Sequence, residues 1–217
     1  GEKLLPETMG GGCAFFDMDG DGDQDLLFVN SSAWPWNTNS TPATHALYAN
    51  DGTGKFTDVT AGSGLDFTSY GMGIATGDFD NDGRTDVFLT GVNSPGLPPA
   101  NRLLRNLGSG KFADATSNSG IISSNAWSTS AAFLDYDRDG DLDLFVCNYV
   151  QWSRDIDLQV DYRLPGIDRA YGPPMNFAGT FSVLYRNEGQ GRFTDVSASA
   201  DIQIKNKATG LPMAKSL

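Results

Sequence analysis

One nine-residue pattern, present three times, constrains this chain more than any other feature. It reads DMDGDGDQD from Asp17 to Asp25, DFDNDGRTD from Asp78 to Asp86 and DYDRDGDLD from Asp135 to Asp143. All three fit D-x-D-x-D-G-x-x-D, and Gly22, Gly83 and Gly140 permit the sharp turn at position six. Four carboxylates this close repel one another and raise each other's pKa values unless a cation sits among them. Ca²⁺ takes roughly six to eight oxygen ligands from a short flexible loop, and an all-oxygen donor set favours it over zinc or copper. The expected ligands are Asp17, Asp19, Asp21 and Asp25 in the first loop and Asp78, Asp80, Asp82 and Asp86 in the second. In the third loop they are Asp135, Asp137, Asp139 and Asp143. Position seven (Asp23, Arg84, Asp141) is expected to add a backbone carbonyl, and the ninth carboxylate to close the shell in bidentate fashion. Three Ca²⁺ sites follow, with plain solvated acidic turns as the alternative.

An EF-hand shares the first six positions but requires Glu at position twelve and a helix on each side. Position twelve here is Phe28, Leu89 and Val146, and the flanks LLFV, VFLT and LFVC favour strand. Each acidic loop is therefore expected to join two strands.

The 217 residues carry 27 acidic and 15 basic side chains, a formal charge of −12. Three calcium ions would halve that imbalance, so the acidity is accounted for largely by ligand chemistry. Without a Lys/Arg run, nucleic acid and anionic membrane surfaces are poor partners. No apolar stretch is long enough to span a membrane, and none reads as a secretion signal. The start at Gly1 is taken as trimmed or processed. Two cysteines, Cys13 and Cys147, make no disulfide framework and are expected as buried free thiols in strands of different repeats.

A second motif alternates with the loops: LYANDGTGKFTDVT from Leu47, LLRNLGSGKFADAT from Leu103 and LYRNEGQGRFTDVS from Leu184. Each copy has an apolar strand ending in Asn (Asn50, Asn106, Asn187), a Gly-x-Gly turn suited to a tight hairpin, then Phe-x-Asp. With a Gly/Ala-rich strand ahead of each loop, one repeat amounts to four antiparallel strands, which is a propeller blade. The expected fold is all-β, about three and a half blades of a probable seven-bladed propeller. Residues 1–9 form a lead-in. Blades span 10–65, 66–121 and 122–204, with insertions at 31–44 and 151–180, and residues 205–217 resemble the first strand of a fourth blade. An arc of this kind has open edges, so a fragment of a longer chain is expected, or else arcs that complete one another as an oligomer.

The acidic loops resemble the FG-GAP (VCBS-type) repeats of integrin α-subunit propellers. The alternation with LYRN-x-G-x-G-x-F-T-D-V, together with ETMGGG at 7–12, NYVQW at 148–152 and YGPP at 171–174, is similar to the bacterial relatives of cartilage acidic protein 1, the ASPIC/UnbV-type proteins. That resemblance covers about residues 7–217. It implies a calcium-loaded propeller located extracellularly, at the cell surface or in the periplasm, with calcium on loop positions one, three, five and nine. Relatives often carry a Cys pair in the insertion before LYRN, and this chain has none there.

For function, the loops read as structural calcium sites on a scaffold for protein interaction or adhesion. No G-x-S-x-G or H-E-x-x-H motif is present, no catalytic residue stands out, and the lone His45 reads as a surface or hairpin residue. Ligands, protein or glycan, are expected on the insertions, where Trp34, Trp36, Trp152, Tyr162, Tyr171 and Phe177 either present a contact surface or pack down on blade edges. The alternatives are a lectin-like glycan binder, a polysaccharide-active enzyme using Asp155, Asp157, Asp161 or Asp168, and a subunit of a larger complex.

Overall fold

A computed structural model describes residues 2–37, 39–122, 126–213 and 215–216. Three four-stranded antiparallel sheets follow one another along the chain. The first contains β1 (Cys13–Phe16), β2 (Asp25–Phe28), β3 (Ala46–Asn50) and β4 (Phe56–Asp58). The second contains β5 (Gly71–Gly77), β6 (Asp86–Gly91), β7 (Arg102–Gly108) and β8 (Lys111–Asp114), followed by a single-turn helix, α1 (Thr116–Ser119). The third begins with β9 (Ser128–Leu134) and β10 (Asp143–Asn148). It is interrupted by helix α2 (Arg154–Val160) and a small hairpin, β11 (Arg163–Leu164) with β12 (Ile167–Arg169). It resumes with β13 (Val183–Asn187) and β14 (Phe193–Asp195). Each sheet is a meander in sequence order, which is the topology of a propeller blade.

Register fixes the loops. Phe16 pairs with Asp25, Gly77 with Asp86 and Leu134 with Asp143. The ninth Asp is thus the first residue of its blade's second strand, and the acidic loop is the hairpin between strands one and two. The Phe-x-Asp motif closes each blade by a different route. Asp58, Asp114 and Asp195 accept the amides of Thr60, Thr116 and Ser197, whose hydroxyls accept the amides of Leu47, Leu103 and Leu184.

The middle sheet is buried on both faces, and β6 shows why its sequence lacks a polar alternation. Val87 and Leu89 face the first sheet, in a core with Phe16, Leu27, Leu47 and Leu104. Phe88, one residue out of phase, faces the third sheet among Phe79, Leu144, Val146 and Phe193. Side chains alternate across a strand, so a strand between two apolar layers reads as a continuous apolar run. The outer faces of the other sheets carry exposed Phe15, Phe28 and Phe56 on one side and Leu134 and Tyr136 on the other. Close approach of the first strands explains their small residues: a Cβ on Gly73 of β5 would stand 2.4 Å from the Thr129 carbonyl oxygen of β9.

A third core lies where the insertions fold over the sheets. It joins Leu4 and Leu5 to Trp34, Tyr70, Trp127, Tyr149, Trp152 and Phe177. Trp34 stacks on Tyr70 at 4.0 Å between ring centroids, on Trp36 at 5.2 Å and on Trp152 at 5.3 Å. Among the described residues of 205–217 no strand forms; Lys205 and Pro212 make one isolated bridge. A first strand draws its hydrogen bonds from the strand after the acidic loop, and no such strand lies within those residues.

The cysteines are free, as expected, but Cys13 is exposed and Cys147 half-buried rather than buried. Both lie on the outward faces of the outer sheets, where no further layer covers them.

Candidate metal centres

Each acidic loop gathers three carboxylates whose oxygens lie within 4.8 Å of one another: Asp17, Asp19 and Asp25; Asp78, Asp80 and Asp86; Asp135, Asp137 and Asp143. These are positions one, three and nine in every copy. The first carboxylate also shapes its own loop. Asp17 accepts the amides of Gly20 and Gly22, Asp78 those of Asp82 and Gly83, and Asp135 those of Arg138, Asp139 and Gly140.

Position five stands apart from these clusters. Asp21, Asp82 and Asp139 each accept the amide two residues on, at Asp23, Arg84 and Asp141. Those short turns position the seventh residues. The Asp23 carboxylate lies against Gly52, and Asp141 accepts a 2.6 Å hydrogen bond from the Asn81 side chain.

The ninth carboxylate has a second task that sequence reasoning did not assign. In every blade its Oδ2 accepts the amide of loop position two (Met18, Phe79, Tyr136) at 2.9–3.1 Å. Its Oδ1 accepts the amide of the Asn ending strand three (Asn50, Asn106, Asn187) at 2.7–2.9 Å. Asp25, Asp86 and Asp143 are also almost fully buried. Each oxygen therefore already accepts one hydrogen bond, which leaves a lone pair on each for an ion. The sequence signal for this brace is the recurrence of Asn at the same place in all three second motifs.

Electrostatics shows a deficit of positive charge. Burial pushes the Asp86 carboxyl up to about 7, opposed by the Asn106 and Phe79 amides and reinforced by Asp80 and Asp82. Burial raises Asp143 and Asp19 as well, each with carboxylate neighbours adding to the effect. In the second loop Asp80 Oδ1 is buried without a hydrogen-bond partner. An orphaned carboxylate oxygen beside two other carboxylates fits a hard divalent cation, and Asp80, Asp78 and Asp86 are the residues that would hold it. In this loop guanidinium groups pair with the carboxylates: Arg105 reaches Asp80 at 2.5 Å and Asp82 at 2.9 Å, and Arg84 also pairs with Asp82.

In the insertions the packed-down reading holds for three of the aromatics, and one expectation nearby is corrected. Trp34, Trp152 and Phe177 are buried core residues, while Trp36 and Tyr171 remain exposed and Tyr162 half-buried. Three of the insertion carboxylates are engaged in hydrogen bonds or ion pairs. Asp157 is buried and accepts from the Leu5 amide and the Trp152 indole, both at 2.7 Å, and pairs with Arg169; Asp161 and Asp168 both bind Arg163. His45 is not a surface residue. It is 1% exposed, between the Asn30 amide on Nδ1 and the Ser69 hydroxyl on Nε2.

Blade-type sheets whose first hairpins carry clustered carboxylates define a repeat protein of the β-propeller class. The family model described as FG-GAP-like repeat matches residues 17–89 and 89–146, more than half of the chain, and the chain belongs to that family. Cartilage acidic protein 1 of Xenopus tropicalis is 33% identical over 92 residues, which is 42% of this chain and 13% of that protein. The proteins of the same name from Homo sapiens and Mus musculus are 29% and 28% identical over stretches of the same length. The matched stretch spans 13–14% of the length of these relatives. No helix among the described residues is long and apolar enough to cross a membrane.

Proposed function

We propose that this chain is a calcium-binding propeller module that works outside the cytoplasm as a scaffold for protein interaction or adhesion. The observation that carries the calcium half is the threefold recurrence of one cluster, built from loop positions one, three and nine of the same hairpin. Three equivalent clusters with raised carboxyl pKa values in two of the buried ninth positions argue for a common cation. Position-five carboxylates and position-seven carbonyls complete the proposed shell after small loop rearrangements. The ions act structurally, because binding to the folded state stabilises it by mass action. Millimolar extracellular calcium suits sites of modest affinity, and relatives named for cartilage support a location outside the cell.

The insertion at 151–180 supports a protein ligand over a glycan. Its exposed large apolar side chains are Ile156, Leu164, Ile167, Tyr171 and Met175, set among exposed Asp155, Asp161, Arg163 and Asp168, a mixed surface suited to protein contact. Of the tryptophans that would stack on a sugar, Trp34 and Trp152 are buried, and Arg154 lies 5.0 Å over the ring of Trp36. Native mass spectrometry of the chain with calcium and after chelation tests the metal. Three ions per chain are expected; a chain that takes up none would remove the proposal.

A further inference from the structure

Loop position two links the first and second acidic loops to the blade that follows each. Asn106, at the end of β7 in the second blade, donates from Nδ2 to the Met18 carbonyl of the first loop at 2.9 Å. It donates equally to the Thr85 carbonyl of its own loop. Asn187 in the third blade repeats this one blade on, donating to the Phe79 carbonyl at 2.8 Å and to Leu142 at 3.0 Å. Both side chains are almost fully buried, and their Oδ1 atoms accept the amides of Gly108 and Gly189. Every hydrogen-bonding group of each amide is thus used.

The side chain at position two completes the joint. Met18 is buried against the Gly-x-Gly turn of the second blade, where a Cβ on Gly110 would stand 3.3 Å from its Cε. Phe79 is buried against the corresponding turn of the third blade, with Gly191 in the same position at 3.0 Å. Both glycines have positive φ, +68° and +71°, so the turn needs glycine for its conformation and for this contact. Position two is therefore held at three points. Its N–H is bound by the ninth Asp of its own loop, its C=O by the Asn of the next blade, and its side chain by the next blade's turn. It also lies between the carboxylates at loop positions one and three.

We infer that this residue is a latch through which cation binding in one loop reports to the next blade, with Asn106 and Asn187 as its positioning residues. Ordering positions one and three around an ion fixes the peptide between them, and that peptide is the acceptor the next blade docks on. The coupling is reciprocal and joins loop one with blade two and loop two with blade three. Asn50 supplies the internal contrast. Among the described residues its side chain donates to Gln24 of its own loop, at 3.1 Å, and so braces its own blade. The calcium half of this inference rests on the proposal above; the docking half does not.

Hydrogen exchange read by peptide mass spectrometry on the full chain, with calcium and with chelator, separates the two. In the wild type, calcium is expected to slow exchange at all three loops. Asn106→Ala is expected to speed exchange in loop one (17–25) as well as in its own loop, and to weaken calcium at loop one roughly tenfold, the size typical of outer-shell partners of a metal. Asn50→Ala is expected to disturb the first blade alone. Asp19→Asn, an exposed loop substitution that keeps the fold testable if Asn106→Ala does not fold, is expected to remove calcium-dependent protection from the 106–112 turn. Effects of Asn106→Ala confined to 78–114, or a 106–112 turn indifferent to Asp19→Asn, would overturn the latch. If calcium changes nothing in the wild type, the metal reading fails. The docking half then stands or falls on whether Asn106→Ala speeds exchange in loop one under chelation.

Discussion

The Asn30 amide donates to Nδ1 of His45 at 3.2 Å, which makes that nitrogen an acceptor and fixes the buried ring as the neutral Nε2–H tautomer. Nε2 is then the donor to Ser69 Oγ at 3.1 Å. Protonating Nδ1 would set an N–H against an N–H. Burial, with a smaller contribution from Arg102, pushes the imidazole down to about 4. The unfolded chain binds this proton below about pH 6.5 and the folded chain only below about 4. Stability from His45 is therefore complete above 6.5 and is lost as pH falls toward 4, by about 3 kcal/mol at most. The measurement is the difference between wild type and His45→Gln in urea unfolding at pH 7.5 and 4.5. That difference should shrink or reverse at the lower pH.

Asp86 titrates in the same range with the opposite sign, since its carboxyl is raised to about 7. Without calcium, part of the population holds a proton there at neutral pH, and an ion in the second loop must displace it. Calcium binding near pH 7 should therefore release protons, and release should fade as pH rises above 8. Calorimetric titration in two buffers of different ionisation enthalpy gives the proton count directly.

Arg105 bridges Asp80 and Asp82 and competes with an ion for the second loop. The guanidinium is about half exposed, so its pairs are worth no more than about 1 kcal/mol together. Arg105→Gln should tighten calcium at the second loop by up to about fivefold and leave the first and third loops unchanged. Terbium luminescence or loop-resolved exchange would detect it.

Phe88 is fully buried between the second and third sheets. Phe88→Ala removes an aromatic ring from a packed layer and should cost about 3–5 kcal/mol, measured by denaturant unfolding. Phe28→Ala on the exposed outer face should cost far less.

Trp34 and Trp36 lie two residues apart but differ in burial, at 7% and 36% exposure. Trp34 also donates from its indole to Glu7 at 2.8 Å. Trp34→Ala should lower the melting temperature strongly, through loss of the stack with Tyr70 and Trp152. Trp36→Ala should leave stability nearly unchanged while removing the ring under Arg154.

Local chemistry made much of the fold legible. Repeated D-x-D-x-D-G-x-x-D loops between strand-forming apolar runs read as short hairpins, because carboxylates at alternate positions converge where a glycine turns the chain. The Phe-x-Asp closures and Gly-x-Gly turns recur for equally local reasons. The placement of His45 was not legible. A lone histidine before a strand has no periodic pattern, and its burial follows from Ser69 and Gly71 of the next blade. Asp157 gave no clue for a similar reason, since its partner Leu5 is 152 residues away.

By itself, then, the sequence determined the blade repeat, the four-strand meander and the carboxylates offered to each loop, because these depend on spacing within about a dozen residues. Tertiary structure decided which of those carboxylates converge and which turn onto the loop backbone. It also decided that the ninth Asp braces the strand-three Asn, and that the insertion tryptophans are core. The brace and the aromatic core depend on backbone amides and ring faces brought together from separate strands and insertions, and residue spacing within one loop does not encode such distances.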